Sequence, residues 1–266
     1  MRGFLKNIVT LVTFVVLFVV VQLLVGLLIA ELSPNGLNDV GFMVGYFLSM
    51  FVLYLLATLK ERLSYGRVTP INHSRRGFNP VVILSGVVLL VAVSVVLAPL
   101  SELFPGAEKN LPEGPLSLVT IVVLAPIFEE LIFRGRLYNI LHHNGSPLMA
   151  ASLSALAFGV VHLDPLVCIE ALVVGVMFSY FYIVRGSIAT PIILHMCNNA
   201  MAYALVVLSY RDESLISLLG EGYIFAIAYV VSAAIVAMSV AIILRRMLVE
   251  RRNERPVVVE DDEIDD

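Results

Sequence analysis

Apolar runs separated by short polar breaks set out the whole of this chain. The first, Ile8 to Ala30, follows Arg2 and Lys6 and exceeds the roughly 7–15 residues of a signal-peptide core, so it predicts a retained membrane helix. After the turn signal Glu31-Leu-Ser-Pro-Asn-Gly36, a second run covers Val40 to Leu59 and carries Gly41-x-x-x-Gly45, a spacing that favours close helix packing. The polar loop Lys60 to Pro80 leads into a third run, Val81 to Leu100, and the loop Ser101 to Pro115 into a fourth, about Leu116 to Leu141. His142-His143-Asn-Gly-Ser-Pro147 breaks the pattern. A fifth run, Leu148 to Leu163, is short and rich in Ala, Ser and Gly, as a buried central helix would be. Asp164-Pro165 opens a sixth, to Val184, and Arg185-Gly186-Ser187 separates it from a seventh, Ile188 to Ser209. The loop Tyr210 to Gly222 precedes the last run, Tyr223 to Leu244. The expectation is an all-α, polytopic membrane bundle of about eight transmembrane helices in one domain, 1–244, followed by a charged, solvated and disordered tail, 245–266.

Composition agrees. The hydrophobic share is 59% and the charged share 14%, with mean hydropathy +0.95, against roughly 45–50% and 25% in an ordinary soluble domain. No basic face for nucleic acid is visible. Cys168 and Cys197 both fall inside apolar runs and behave as small hydrophobes, which indicates neither a disulfide framework nor a cysteine-based zinc site. Charge placement sets orientation. With the N-terminus inside, all of the 17 Lys and Arg except Lys109 and Arg211 fall on the inner side, so the positive-inside rule predicts both termini in the cytoplasm. A fourth helix over Leu116 to Leu141 would be about 39 Å long, more than the hydrocarbon core, which places its Arg134 to Leu141 end at the inner interface and Glu129 and Glu130 in the inner half.

Ionisable groups inside a span cost at least ~2.5 kcal/mol each at the centre, so those present need a reason. Glu130 and Arg134 are four apart and can pair on one helical face, while Glu129 points about 100° away. Phe158 and His162 share a face of the fifth helix, and His195 and Asn199 a face of the seventh. Asn198 and Glu170 are the main remaining polar residues, the latter close to the outer interface. Three helices that hide such groups from lipid must turn them toward one another or toward a water-filled cavity. Pro126 and Pro191 each stand about one turn before the polar residues and would remove a backbone hydrogen bond there. Serine, cysteine, paired-aspartate and His-Glu-x-x-His chemistries lack their residues. What remains is carboxylate, imidazole and amide: a base for water, a partner for its proton and donors for an oxyanion.

These residues resemble the CAAX prenyl endopeptidase and bacteriocin-processing family of intramembrane proteases, also called Abi or type II CAAX proteases. Its motifs Glu-Glu-x-x-x-Arg, Phe-x-x-x-His and His-x-x-x-Asn stand here, in that order, as Glu129-Glu130-x-x-x-Arg134, Phe158-x-x-x-His162 and His195-x-x-x-Asn199. The resemblance covers about 116–209. It implies that Glu129 and His162 activate a water, that His195 and Asn199 stabilise the oxyanion, and that Glu130, Arg134 and Phe158 support them. If a divalent metal such as zinc takes part, Glu129, His162 and His195 would be its His₂Glu ligands, with an open position for water.

The expected function is therefore an intramembrane endopeptidase acting on a peptide or on a lipidated or membrane-associated protein, in a bacterial or archaeal cell membrane, with the bilayer as its other partner and the site facing the cytoplasm. Its substrates would be CAAX-type proteins or, in cells without prenylation, bacteriocin or signal peptides. The alternatives are a non-catalytic membrane protein for bacteriocin immunity or scaffolding, and a proton-coupled transporter.

Overall fold

The computed structural model describes residues 2–32, 38–72, 78–104, 114–207 and 222–253, with Ile216 and Leu219. Lys109, Arg211 and the acidic end of the tail lie outside these residues. Eight principal helices follow one another: α1 (Arg2–Leu32), α2 (Asp39–Tyr65), α3 (Pro80–Leu97, extended by 3₁₀ turns Ala98–Leu103), α4 (Pro115–His142), α5 (Pro147–Val160), α6 (Pro165–Arg185), α7 (Ala189–Val207) and α8 (Tyr223–Asn253). The chain is an all-helical, integral, multi-pass membrane protein. Among the described residues six of these helices are long and apolar enough to cross a membrane. The other two are α5 and α7. At 14 residues α5 is roughly 21 Å long, short of a ~30 Å hydrocarbon core, and α7 carries His195, Asn198 and Asn199.

Helix boundaries follow local chemistry. Pro80, Pro147 and Pro165 occupy the first helical position, where a missing N–H costs nothing, and Asn79, Ser146 and Asp164 cap the free N–H groups behind them. Gly66 and Gly186 end α2 and α6 in the left-handed conformation (φ 71° and 57°) that glycine adopts without a Cβ penalty. Two ends run beyond expectation. α2 continues through Lys60 to Tyr65, and α8 continues to Asn253 through Arg245 and Arg246, which are good helix formers, so the expected tail begins as helix.

α4 is the central element, touched by α1, α2, α5 and α7. At one end of the bundle Asp39, at the start of α2, accepts hydrogen bonds from the backbone of Leu116 and Ser117 and from the Ser117 hydroxyl. At the other end Asn7 of α1 donates to Leu141 O (2.9 Å), and Ile188 N–H donates to Asn72 O (2.9 Å). The helices thus alternate in direction. The far end of α4 is buried within the protein: Arg134, Arg136, Leu137, Ile140 and Leu141 are covered by α1, the end of α2 and the segment 67–72. Glu129 and Glu130 stand near the midpoint of α4.

Candidate active site

α4 is not a regular α-helix. It widens into π turns at Thr120–Leu124 and Leu131–Leu137, on either side of the turn that bears the two glutamates. Such widened turns recur at functional sites because each leaves a carbonyl without its usual partner. In the first, Ala125 N–H bonds to Thr120 O instead of Ile121 O. The next N–H that could reach Ile121 would come from residue 126, which is proline. Ile121 O is therefore left for a side chain, and Asn199 Nδ2 donates to it at 2.9 Å. In the second, Asn139 Nδ2 donates to Gly135 O and the Ser154 hydroxyl to Phe133 O. Pro191 opens no comparable gap: α7 begins at Ala189, so this proline lies in the first turn, where no intrahelical bond is lost.

Five of the expected residues converge. Glu130 Oε1 accepts from Arg134 Nη1 (2.8 Å) and from His195 Nδ1 (3.0 Å), and all three side chains are at most 5% exposed. Arg134 also donates through Nη2 to Gly175 O (2.9 Å) and lies over the Phe158 ring, 4.6 Å from its centroid. A Cβ at residue 175 would stand 3.2 Å from Arg134 Nη2, so the glycine makes room for the guanidinium. The other nitrogen of His195, Nε2, stands 3.6 Å from Glu129 Oε2, longer than a hydrogen bond. Phe158 and Phe178 pack on the His195 ring, at 5.6 and 5.0 Å between centroids. Glu130 Oε2 and Arg134 Nε are buried with no hydrogen-bond partner among the described residues.

The remaining two stand at the margin. His162 is not on α5, as its spacing from Phe158 suggested, but in the turn beyond Val160: its N–H bonds back to Gly159 O, and Leu163 follows at φ 62°. The imidazole Nδ1 takes over the Phe158 carbonyl at 2.7 Å. A carbonyl only accepts, so Nδ1 carries the proton and Nε2 is the free lone pair. The His162 ring touches the Phe158 ring (5.1 Å), which also touches His195. Asn199 is one turn beyond His195. Among the described residues no three His, Cys, Asp or Glu side chains converge as a metal site, so the proposed Glu129, His162 and His195 set does not fit a metal in this arrangement.

Sequence reasoning missed three partners. Tyr46 of α2 donates its hydroxyl to Glu129 Oε1 at 2.6 Å. Phe178 and Gly175 of α6 complete the walls around His195 and Arg134. The signal for Tyr46 was present, since a phenol in an apolar helix needs a polar partner, but nothing in α2 says which.

Comparison with known proteins bears on the same helices. The family model for the type II CAAX prenyl endopeptidase Rce1-like proteins matches residues 112–201, from the approach to α4 through most of α7. Over this segment the chain is similar to the Rce1-like family. All three motifs and their packing partners on α4 to α7 lie inside the Rce1-like segment, whereas Tyr46 lies outside it. An uncharacterised 24.3 kDa protein of Escherichia coli is 33% identical over 95 residues, 34% of this chain and 44% of that protein. The membrane-embedded CAAX protease MroQ of Staphylococcus aureus is 29% identical over 119 residues, 40% of this chain and 48% of its own length. Bacillus subtilis YdiL is 29% identical over 85 residues, 32% of this chain and 35% of its own. The chain thus spans less than half the length of these relatives. No solved structure matches.

Proposed function

We propose that this protein is a membrane-embedded endopeptidase in which Glu129 is the general base. The observation that carries this reading is the division of labour between neighbouring glutamates. Glu130 is held by a cation and an imidazole on one oxygen, while Glu129 is held by a neutral phenol on Oε1, with Oε2 facing His195 across a 3.6 Å gap. A carboxylate bound to arginine is a poor proton acceptor, and one bound to a phenol keeps that capacity. The Rce1-like match over these helices, and the similarity to the membrane-embedded CAAX protease MroQ, support the same class of reaction.

In the proposed step Glu129 removes a proton from a water as its oxygen attacks the peptide carbonyl carbon. The carbonyl becomes an oxyanion, and collapse breaks the C–N bond while Glu129 returns the proton to the leaving nitrogen. His195 donates Nδ1–H to Glu130, so a second proton on Nε2 gives a charged donor toward the oxyanion. Two carboxylates, Arg134 and this imidazolium then balance in charge, as a buried set requires. Asn199 keeps one Nδ2 hydrogen on Ile121 O and has a second to offer. His162, with Nε2 as a lone pair, shares the water's proton when substrate draws the turn 161–164 inward. The substrate is a peptide segment of a membrane-associated or lipidated protein, entering from the cytoplasmic side, which is the side where the N-terminus of α1 meets the end of α4.

The test is cleavage by purified protein in lipid nanodiscs of a membrane-anchored peptide library, read by mass spectrometry. Glu129→Ala and His162→Ala are each expected to lower cleavage at least 100-fold. Full cleavage by either variant would remove that residue from the mechanism, and full cleavage by both would leave the fold without this active site.

A further inference from the structure

The contact between Tyr46 and Glu129 joins a helix outside the family segment to the residue at the centre of the site. Its surroundings leave Tyr46 little freedom. Phe47, the next residue, meets Phe128, the residue before Glu129, edge to face at 5.4 Å, which clamps α2 to α4 at this level. Behind them Gly45 lets α1 approach: a Cβ there would stand 3.2 Å from Ile29 Cγ1. The hydroxyl therefore has a fixed place from which to donate.

Glu129 has two oxygens with different surroundings. Oε1 receives the Tyr46 proton at 2.6 Å, and Oε2 is the oxygen toward His195 Nε2. A hydrogen bond to one oxygen of a carboxylate fixes its rotation and stabilises its charged form without a competing cation. We propose that Tyr46 is a positioning residue that fixes the rotation of the Glu129 carboxyl group with Oε2 presented to the reaction, so that the site is completed by α2 and is not contained in the Rce1-like segment alone. This rests on the assignment of Glu129 as the base, but the hydrogen bonding and orientation of its carboxyl group can be measured apart from any cleavage.

The experiment is infrared difference spectroscopy of the full-length protein in nanodiscs, with the carboxylate bands of Glu129 identified by their loss in Glu129→Gln. In Tyr46→Phe the separation between the antisymmetric and symmetric stretches is expected to narrow, because the two oxygens are no longer unequally hydrogen-bonded. Replacing Tyr46 with 3-fluorotyrosine, a stronger donor of the same shape, is expected to move it the other way. Where peptide cleavage is measurable, Tyr46→Phe is expected to lower kcat with KM unchanged. Bands identical in wild type and both variants overturn the proposal. Shifted bands in a protein that cleaves no peptide would keep the positioning role and reject the protease reading.

Discussion

Asn199 donates to the carbonyl of Ile121, seventy-eight residues earlier, because a π turn and Pro126 together deny that carbonyl a backbone partner. One amide thus closes a defect in α4 and sits one turn from His195. Removing it in Asn199→Ala should expose a buried acceptor, at a cost of about 1–3 kcal/mol. Pro126→Ala restores an N–H at the position from which Ile121 O can accept in π spacing. The double variant is expected to recover most of the lost thermal stability, measured in nanodiscs, but none of the cleavage lost in Asn199→Ala. Recovery of both would show that Asn199 acts only through the helix.

Arg134 satisfies Glu130, the Gly175 carbonyl and the Phe158 ring at once, through a planar fork that lysine does not have. Arg134→Ala leaves Glu130, 0% exposed in the intact protein, with His195 as its only partner among the described residues. Breaking a buried pair in this way typically costs about 3–5 kcal/mol. The expected outcome is a loss of thermal stability of that order, with Arg134→Lys and Glu130→Gln intermediate, since the glutamine strands the buried guanidinium but keeps an amide oxygen to accept its hydrogen bond. A ranking with Glu130→Gln as the most damaging would mean that the negative charge itself, and not its burial, is what the site needs.

The parts of this architecture written in single residues or short spacings were legible in the sequence. Pro147 after Ser146 and Pro165 after Asp164 announced two helix starts, and Glu130 with Arg134 announced a pair four residues apart, because caps and i, i+4 contacts are local. The three motifs also identified the groups that α4 to α7 gather. What spacing could not give was anything set by a second helix. His162 reads as helical from its distance to Phe158, yet α5 stops at Val160 because Leu163 turns left-handed and the imidazole, not the amide, takes the Phe158 carbonyl. Tyr46 is one tyrosine among ten until α2 is laid against α4. The burial of Arg134 and Arg136 was hidden for the same reason, since only their partners on other segments cover them.

The clearest case of a relationship invisible in sequence is a second buried ion pair, Glu61 with Arg136, at 3.1 Å. Glu61 reads as a loop residue among Lys60 and Arg62, but α2 extends past it and turns it inward, where it is 0% exposed and also accepts from Thr69 N–H. Arg136 reaches Thr69 O and the Tyr54 hydroxyl as well, so the pair ties the segment after α2 to the far half of α4. None of its partners touches Glu129 or His195 within hydrogen-bonding distance among the described contacts, which marks it as scaffold. Arg136→Ala should therefore cost about 3–5 kcal/mol by leaving Glu61 without its guanidinium, with only His143 Nε2, at 3.7 Å, as an ion-pair partner among the described residues, whereas Glu61→Leu with Arg136→Met, which removes both charges and keeps the volume, should return to within about 1–2 kcal/mol of wild type. Cleavage by the double variant should match wild type at a temperature where both are folded. If the double variant melts with wild type yet cleaves tenfold more slowly, the pair controls the position of the segment 67–72 against the far half of α4 rather than stability alone.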